Sequence, residues 1–425
     1  MKTVGIIGLG YVGLPLALLF EEGGFRVLGF DRDPAKVALL AAGKSYIRHI
    51  GGGRIAEAVG RKAFFPTTDF DRLAECDAIL ICVPTPLGRH REPDLSFVRS
   101  TAEEIARRLR PGQLIVLEST TYPGTTREEL LPRFEENGFK CGRDFFLAFS
   151  PEREDPGNSK FSTRTIPKVV GGIDEASRNA AVRLYSAVLE TVVPVSSPEV
   201  AEASKLLENI FRSVNIALVN ELKVVFDRMG IDVWEVIEAA KTKPFGYMAF
   251  YPGPGLGGHC IPLDPFYMAW KAAETGTWAR FIELAGEINA SMPRYVSQRT
   301  AEAINAQGKS VKGARILVLG LSYKPEIDDD RESPSFELLE LFRQMGAEIA
   351  YSDPHIPAAR RGRKHRLDLE SVPCTAEELG RYDAIVISTA HSQFLDPELY
   401  RKAKLVVDTR NVIHLDFTPP VVVKA

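Results

Sequence analysis

Short apolar runs alternate with longer amphipathic stretches along most of the chain. Apolar runs that are rich in β-branched residues are typical of buried parallel strands, and amphipathic stretches between them are typical of helices. The first part of the chain has such runs at 4–7, 26–30, 77–86, 113–126 and 147–150. Strands that alternate with helices in this way predict an α/β fold with a parallel sheet.

The second part of the chain repeats the order of the first. The stretch "ARILVLGLSYKPEIDDDRESPSFELLELFRQMGAEIAYSDP" again has a strand, a glycine turn, a helix, a strand and Asp-Pro, so that Asp353 corresponds to Asp31. The runs "DAIVIS" and "LVVDTRN" then match "DAILIC" and "LIVLEST". The chain therefore carries two Rossmann-like halves. Only the first half keeps three spaced glycines, which favours a different ligand for the second half.

A long helix is predicted between the halves. Ser197 is a suitable N-cap, Pro198 suits the first helical position, and Gly230 can end the helix. Apolar residues from Ala203 to Leu222 recur at helical spacing, which predicts one helix of about 30 residues, roughly 45 Å long. We therefore expect an α/β fold with two Rossmann-like doubly wound domains joined by a helical domain with a long central helix. The predicted boundaries are 1–197, 198–300 and 301–425.

The first glycine turn indicates a dinucleotide. Gly8, Gly10 and Gly13 have G-x-G-x-x-G spacing between a strand and a helix, which suits a tight turn, close approach of a pyrophosphate and close helix packing. Asp31, 18 residues beyond Gly13, is placed to bond the adenosine ribose and would repel a 2′-phosphate. NAD is favoured over NADP, although Arg32 leaves that choice open. The alternative is a Rossmann-like domain that binds no dinucleotide.

Hydroxyl residues follow two of the predicted strands. Because ligands bind beyond the carboxyl ends of parallel strands, Thr85, Ser119, Thr120 and Thr121 are expected beside the cofactor. Each of these hydroxyls could instead satisfy the backbone of its own turn.

Charge and cysteine content exclude several classes of protein. The net charge of -3 is unlike that of a nucleic-acid-binding protein. No run approaches 18 apolar residues and no signal peptide precedes the first strand, so neither a membrane span nor secretion is predicted. Five scattered cysteines without a C-x-x-C pair predict free thiols in a reducing cytoplasm and no metal site.

The stretch "GPGLGGHCIPLDP" at 253–265 places Cys260 after four glycines. A thiol in such a place is either incidental to a loop or a nucleophile that needs close approach of its substrate. Lys205 and Asn209 are four residues apart and share a face of the long helix. Taken alone, a lysine on a long helix is most often a solvated one.

Together with the glycine turn and the long helix, this stretch resembles the UDP-sugar 6-dehydrogenases, which use NAD to oxidise a primary alcohol to a carboxylate in two hydride transfers. The motifs that carry the resemblance span nearly the whole chain: "GLGYVGLPLA", "VPTP" with "PDLS", "EST", "SPERE", "EASKLLENIFRSVNIALVNEL", "GPGLGGHCIPLDP", "GLSYKPEIDDDRESPS" and "VVDTRN". The flanks of the cysteine motif and "SPEREDPGN" are most similar to the UDP-N-acetylglucosamine enzymes. UDP-N-acetylmannosamine enzymes also carry "GGHCI", and UDP-glucose is a further alternative.

The resemblance implies a role for each matching residue. Cys260 would add to the aldehyde and pass through a thiohemiacetal and a thioester, which is a general way to make a second hydride available. The expected catalytic group comprises Cys260, Lys205, Asn209, Asp264, Glu152 and Thr120. In that group Lys205 and Asn209 stabilise oxyanions, Asp264 orients the lysine or a water, Thr120 helps to hold water and Glu152 handles protons. His259 is expected to position the backbone or the substrate.

Two further sets complete the predicted site. The cofactor set is Gly8, Gly10, Tyr11, Val12, Gly13, Asp31, Arg32, Lys36, Val83, Pro84, Thr85, Ser119, Thr120 and Arg331. The substrate set is Glu152, Arg153, Lys205, Asn209, Tyr251, Gly257, Lys324 and Arg410. Tyr251 lies in "KPFGYMAFYPGPG", which departs from the basic or small residues common among UDP-glucose enzymes.

Two other functions are weighed against this one. A simple NAD-dependent dehydrogenase of the 6-phosphogluconate type would share the first half and the long helix but needs no thiol. A non-catalytic nucleotide-sugar-binding protein would not need Lys205, Asn209, Cys260 and Asp264 together. The resemblance also implies a homodimer, or a multiple of one, that forms through the helical middle of the chain.

Overall fold

The computed structural model describes residues 1–47, 50–88, 92–136, 138–153, 163–258, 260–359, 367–418 and 420–425, and leaves the side chain of residue 260 aside. His259 lies outside the described residues. Two compact units are present: Met1–Glu208 with Phe266–Trp278, and Asn209–Pro265 with Ala279–Ala425. The three-domain division stays a prediction.

The first unit contains an eight-stranded sheet. Its strands are β1 (Thr3–Ile7), β2 (Arg26–Phe30), β3 (Phe64–Thr67), β4 (Ala78–Ile81), β5 (Leu114–Leu117), β6 (Phe146–Phe149), β7 (Lys168–Gly172) and β8 (Val192–Val195). The spatial order is β3-β2-β1-β4-β5-β6-β7-β8. All neighbours are parallel except β6 and β7, which are antiparallel. The first six strands have the 3-2-1-4-5-6 order of a doubly wound dinucleotide-binding sheet.

Helices cover this sheet because its strands are apolar on both faces. They are α1 (Gly13–Glu22), α2 (Pro34–Ala41), α3 (Gly52–Gly60), α4 (Ser96–Ala106), α5 (Leu131–Glu135) and α6 (Glu175–Tyr185). A 3₁₀ turn spans Phe70–Glu75, and a π-helical turn at Thr126–Leu130 leads into α5. β1, β4 and β5 are buried along their whole length, so the core of the unit lies on both sides of these central strands.

The predicted central helix is present as α7 (Pro198–Met229), with 32 residues. Ser197 Oγ accepts a long hydrogen bond from Val200 N at 3.4 Å, and Gly230 adopts a φ of 72°. Three more helices follow: α8 (Val233–Lys241), α9 (Cys260–Glu274) and α10 (Arg280–Ala306). The boundary between the two units falls inside α7, after Glu208, and inside α9, after Pro265.

The second unit contains a five-stranded parallel sheet. Its strands are β9 (Arg315–Leu319), β10 (Glu348–Ser352), β11 (Ala384–Ile387), β12 (Leu405–Asp408) and β13 (Val421–Lys424). They follow the order β10-β9-β11-β12-β13, with α11 (Pro334–Gln344), α12 (Ala376–Leu379) and 3₁₀ turns at Ser392–Leu395 and Pro397–Tyr400. The predicted second doubly wound half is confirmed. In the described part of the chain, no helix is both long and apolar enough to span a bilayer.

Candidate active site

The glycine turn after β1 has the shape that a dinucleotide needs. Gly8 has a φ of 92°, and a Cβ there would lie 2.5 Å from Cys82 O. A Cβ at Gly13 would lie 1.9 Å from Gly8 O, so α1 packs on β1 only because residue 13 is glycine. A Cβ at Gly10 would meet nothing within 4 Å. Gly10 therefore borders open space where a pyrophosphate could approach the start of α1, and the residues present fit NAD.

Asp31 lies directly after β2, and its carboxylate is oriented by the backbone. Its two oxygens accept hydrogen bonds from Leu9 N at 3.1 Å and from Asp33 N at 3.0 Å. Lys36 Nζ is 3.9 Å from the Asp31 carboxylate, and the Asp31 side chain is 13% exposed. Tyr46, absent from the predicted set, donates its hydroxyl to Leu9 O. These contacts hold Asp31 beside the glycine turn, where a ribose would lie.

The predicted hydroxyls after β4 and β5 differ in their contacts. Ser119 Oγ donates to Val83 O at 2.7 Å, so this hydroxyl ties the two strand ends together. Thr85 is buried, and its carbonyl accepts a hydrogen bond from Tyr267 Oη. The buried Thr121 Oγ1 has no hydrogen-bond partner among the described residues.

The other predicted cofactor residues of this unit surround the same edge. Val12 precedes α1 as its N-cap, and Tyr11 packs against the core while remaining partly exposed. Val83 and Thr120 are half-buried, whereas Arg32 and Pro84 are exposed. The structure thus brings the predicted NAD set of the first unit to the carboxyl edge of its sheet, and the role of each residue stays a prediction.

Glu152 and Arg153 follow β6 at the same edge. Glu152 Oε1 accepts a hydrogen bond from Arg153 N at 2.7 Å, and its Oε2 lies 3.6 Å from Lys168 Nζ. The guanidinium of Arg153 pairs with Glu208 at 2.7 Å and donates to Pro167 O. These contacts at both oxygens fix the orientation of the Glu152 carboxylate, so that it can exchange a proton with a group in a defined position.

Lys205 and Asn209 lie one turn apart on α7, and both are buried. Asn209 Nδ2 donates to Asp264 Oδ2 at 2.6 Å, and Asp264 is itself buried. Asp264 and Cys260 are four residues apart on α9, and Cys260 is the first residue of that helix. Residues at this spacing share a helix face. The structure therefore joins the predicted amide on α7 to the helix that begins at the predicted nucleophile.

The glycines before Cys260 have packing requirements of their own. Gly258 has a φ of 83°, and its N–H donates to Arg331 O at 2.9 Å. A Cβ at Gly257 would lie 2.5 Å from Tyr323 Cβ. Gly257 belongs to the predicted substrate set. The structure shows that Tyr323 occupies the space beside Gly257, and approach of the substrate to this turn stays a prediction.

Arg410 reaches the start of the glycine stretch. Its Nη1 lies 2.4 Å from the position of a Cβ on Gly253, and its Nε donates to Ser388 O at 2.7 Å. Burial lowers the pKa of Arg410 to about 10, with Asp408 opposing the shift. The side chain is therefore a cation at neutral pH, available to a phosphate.

The other predicted substrate and cofactor residues of the second unit have identified contacts. Lys324 is half-buried, and its carbonyl accepts from Ser322 Oγ at 3.0 Å. Arg331 forms a bidentate pair with Asp329, with a shortest distance of 2.6 Å. Contact of Lys324 with the nucleotide and of Arg331 with the cofactor remain predictions.

Tyr251 packs against α8 in the loop before the glycines. Its ring stacks on Trp234, with centroids 5.9 Å apart, and its hydroxyl donates to Glu238 at 2.6 Å. Lys241 Nζ lies 3.1 Å from the same hydroxyl. The described contacts of Tyr251 hold this loop on α8, and a contact with the substrate stays a prediction.

Several buried polar residues that support the site were missed by sequence reasoning. Asn220 Oδ1 accepts from Gly253 N at 3.0 Å, and its amide donates to Asn289 at 2.9 Å. Glu118 and Lys168 form a buried ion pair at 2.5 Å. The available signal was a charged or amide residue inside an otherwise apolar run, as in "LIVLEST" and "PKVVGG".

Three family models cover the chain in order. They are the NAD binding domain of the UDP-glucose/GDP-mannose dehydrogenase family at residues 2–189, its central domain at 199–291 and its UDP binding domain at 317–415.

The chain belongs to the UDP-glucose/GDP-mannose dehydrogenase family. It is an NAD-dependent nucleotide-sugar dehydrogenase, and the predicted family, fold class and cofactor are confirmed.

Relatives of this dehydrogenase are named for different sugars. It is 34% identical over 393 residues to a UDP-N-acetyl-D-glucosamine 6-dehydrogenase from Pseudomonas aeruginosa, covering 92% of this chain and 91% of the relative. It is also 34% identical over 426 residues to a UDP-N-acetyl-D-mannosamine dehydrogenase from Pyrococcus horikoshii, covering 98% and 97%. A structure of UDP-D-ManNAc dehydrogenase from Pyrococcus horikoshii superimposes with a TM-score of 0.90 at 30% identity, covering 100% of this chain and 99% of that one. Equal identities leave the sugar unassigned.

Proposed function

We propose that this dehydrogenase oxidises UDP-N-acetylglucosamine to UDP-N-acetylglucosaminuronate through covalent catalysis by Cys260. The observation that carries the proposal is the 2.6 Å hydrogen bond between buried Asn209 and buried Asp264. A buried carboxylate and a buried amide are costly unless they serve a purpose, and perturbed or buried polar groups cluster at functional sites. This pair lies on the helix that starts at Cys260 and on the helix that carries Lys205.

The reaction needs two oxidations and one hydrolysis. NAD, when bound at the glycine turn after β1, would supply the hydride acceptor for each of the two oxidations. The alcohol first becomes an aldehyde, the Cys260 thiol adds to the aldehyde carbon, and the resulting thiohemiacetal loses its hydride to form a thioester. Water then releases the carboxylic acid and restores the thiol, so one alcohol and one water consume two NAD. The first turn of a helix favours negative charge, which suits a nucleophile at the first residue of α9.

The other predicted catalytic groups have complementary tasks. Lys205 and Asn209 stabilise the oxyanions that form at the reacting carbon, and Asp264 holds Asn209 in place. Glu152 handles the proton of the hydrolytic water, with Thr120 helping to hold that water. Arg153 is proposed to position the sugar.

The second unit is proposed to hold the UDP group. Arg410 and Lys324 supply cations at the carboxyl ends of its strands, where ligands of doubly wound sheets bind. Gly257 and Tyr251 belong to the loop that leads to Cys260. The glycine turn and Asp31 are proposed to bind NAD, and Arg331 is proposed to contact the cofactor.

The choice of sugar rests on motif similarity around "SPEREDPGN" and the cysteine. Initial rates with UDP-N-acetylglucosamine, UDP-N-acetylmannosamine and UDP-glucose, with NADH counted per sugar, test it. We expect the highest kcat/KM with UDP-N-acetylglucosamine and two NADH per sugar. A dominant rate with UDP-glucose would overturn the choice.

UDP-N-acetylmannosamine is the second candidate. It is favoured by the Pyrococcus horikoshii relative, which matches over 98% of the chain, and by the TM-score of 0.90. The two substrates differ only in the configuration at C2 of the sugar. A higher kcat/KM for the mannosamine sugar in the same assay would select this candidate while leaving the Cys260 chemistry in place.

We also propose a homodimer in the cytoplasm. The helix α7 exposes apolar side chains on one side, with Leu207, Phe211, Leu218 and Val225 each more than 40% exposed. An apolar stripe of this kind is typical of an interface. Light scattering of the wild type is expected to give twice the chain mass, and Leu218→Asp is expected to give the chain mass. A monomeric wild type would contradict the proposal.

A further inference from the structure

A buried triad of charged residues lies behind Glu152 in the first unit. Lys168 is the first residue of β7, and its side chain is 6% exposed. Its ammonium lies 2.5 Å from Glu118 Oε2 and 3.6 Å from Glu152 Oε2. Glu118 is fully buried, whereas Glu152 keeps 13% of its side chain exposed. One ammonium thus serves an inner carboxylate and an outer carboxylate that reaches the surface of the unit.

The inner carboxylate is already satisfied by other groups. Glu118 Oε1 accepts a hydrogen bond from the buried hydroxyl of Tyr185, and Oε2 receives the ammonium. Burial and the neighbouring Glu152 raise the pKa of Glu118. Burial lowers the pKa of Lys168, but the carboxylates of Glu118 and Glu152 outweigh it, and the net shift is upward. Lys168 therefore remains a cation between two carboxylates.

The chain brings this triad to the reacting edge by its topology. Glu118 directly follows β5 and precedes Ser119 and Thr120, while Glu152 follows β6. β7 runs antiparallel to β6, so its first residue lies at the edge where β5 and β6 end. The antiparallel strand therefore delivers a lysine to the carboxyl edge of an otherwise parallel sheet.

Besides the triad, Arg153 and Cys82 lie near Glu152. Arg153 donates its backbone N–H to Glu152 Oε1, and its guanidinium is paired with Glu208. The thiol of Cys82, after β4, interacts electrostatically with all three members of the triad, and burial raises its pKa. The thiol is neutral and the guanidinium is paired with Glu208, whereas the ammonium of Lys168 lies 3.6 Å from Glu152 Oε2.

We infer that Lys168 is a positioning residue for thioester hydrolysis: it orients the Glu152 carboxylate and keeps it ionised as the base for the attacking water. The inference rests on the proposed role of Glu152. A structural ion pair would need only Glu118 and Lys168, but here the ammonium is also within reach of the carboxylate that faces the site.

Loss of the Lys168 cation should change the pH dependence of thioester hydrolysis. Removing a cation that lies within about 4 to 6 Å of a carboxylate makes protonation of that carboxylate easier. In Lys168→Met, the acid limb of the hydrolysis rate should move to higher pH by roughly one unit or more. The first hydride transfer should change less than about threefold, because Lys168 has no proposed part in it. Thioester should then accumulate on Cys260.

The experiment uses the full chain with NAD and UDP-N-acetylglucosamine. Stopped-flow absorbance of NADH separates the early hydride transfers from the steady state, and intact-mass analysis of acid-quenched samples measures the thioester. Both are followed from about pH 4 to pH 9, a range that includes the ordinary carboxyl pKa of about 4.3. Lys168→Arg keeps a cation and should restore the wild-type acid limb. Glu118→Gln combined with Lys168→Met removes both charges of the inner pair and serves as the second variant if Lys168→Met alone folds poorly. Its acid limb should shift in the same direction as that of Lys168→Met, by a smaller amount.

Lys223→Met is the matched control, because Lys223 is another buried lysine beside a carboxylate, 3.6 Å from Asp227 in the second unit. It should leave the acid limb unchanged. An unshifted limb in folded Lys168→Met, or equal shifts in the methionine and arginine variants, would overturn the inference. A wild type that forms no thioester, or makes one NADH per sugar, would instead overturn the proposed function.

Discussion

The two doubly wound halves share a glycine turn, and in each half this turn contacts an aspartate that follows the second strand. The surroundings of that aspartate differ between the halves. After β1 and after β9, a glycine has a φ near 90°: Gly8 at 92° and Gly320 at 90°. In both halves, the next residue donates its N–H to the aspartate that follows the second strand, Leu9 to Asp31 and Leu321 to Asp353.

The difference lies in what else surrounds each aspartate. Asp31 keeps 13% of its side chain exposed beside the open space at Gly10. Asp353 is fully buried and accepts hydrogen bonds from one histidine ring and four backbone N–H groups: His391, Leu321, Ser322, His355 and Ile356. Burial opposes ionisation, but His391 and these backbone donors hold the pKa of Asp353 below its usual range. The same scaffold thus leaves a carboxylate partly exposed beside open space in one half and uses it to tie loops together in the other.

The largest expected effect is on the shared turn. Gly8→Ala and Gly320→Ala each force a positive φ on alanine and bring its Cβ within 2.5 Å of Cys82 O or 2.4 Å of Thr389 Cβ, respectively. We expect each to lower the free energy of unfolding by at least about 3 kcal/mol. Calorimetric unfolding measures this loss. A small loss in one half alone would show that the two turns are not equivalent.

Gly10→Ala is the control within the same motif. A Cβ there meets nothing within 4 Å of the protein, so the melting temperature should stay near that of the wild type. NAD affinity, measured by titration calorimetry, should fall by about tenfold or more because the methyl group enters the space left for the pyrophosphate. An unchanged NAD affinity would show that the pyrophosphate does not bind beside Gly10.

The two aspartates provide a sharper test. Asp353→Asn leaves backbone donors facing an amide, and should cost about 3 kcal/mol of unfolding free energy with NAD affinity unchanged. Asp31→Asn should leave stability within about 1 kcal/mol and weaken NAD binding by about tenfold. Unfolding and NAD titration of both variants check this crossed pattern. The same response from both would contradict the different uses of the two residues.

A smaller effect concerns the anchoring of α7 in the first half. Buried Glu202 accepts hydrogen bonds from Gly124 N, Thr126 N and Thr126 Oγ1, and burial raises its pKa to about 7. A carboxyl whose pKa rises from 4.5 on folding stabilises the protein at low pH, and this contribution is lost as pH rises through about 7.

Glu202→Gln isolates that contribution because glutamine does not titrate. The stability advantage of the wild type over the variant should grow by about 2 kcal/mol between pH 8 and pH 5.5. Chemical denaturation at several pH values measures the difference. A difference that is constant with pH would contradict the raised pKa.

Local signals account for the features that were predicted well. The ends of α7 followed from Ser197, Pro198 and Gly230, which act within one helical turn. The glycine turn followed from spacing alone, and the second half followed from its repetition of the first. The antiparallel β7 and the edge strand β13 were not predicted, since their short apolar runs carry no information about strand direction.

The supporting contacts of the site could not be predicted because their partners are distant in sequence. Glu118 and Lys168 are 50 residues apart, and Asn209 and Asp264 are 55 residues apart. The resemblance identified Asn209 and Asp264 as members of one site but did not predict their hydrogen bond. It did not single out Lys168, whose charge within a buried strand was the only sequence signal.

The most direct test of the central claim is the covalent state of Cys260 during turnover. Wild type and Cys260→Ala are mixed with NAD and UDP-N-acetylglucosamine, quenched in acid within the first turnovers and analysed by intact mass, with NADH counted in parallel. We expect a sugar adduct on the wild type, none on the variant, and uronic acid with two NADH per sugar from the wild type alone. Uronic acid and two NADH per sugar from Cys260→Ala at the wild-type rate would contradict it.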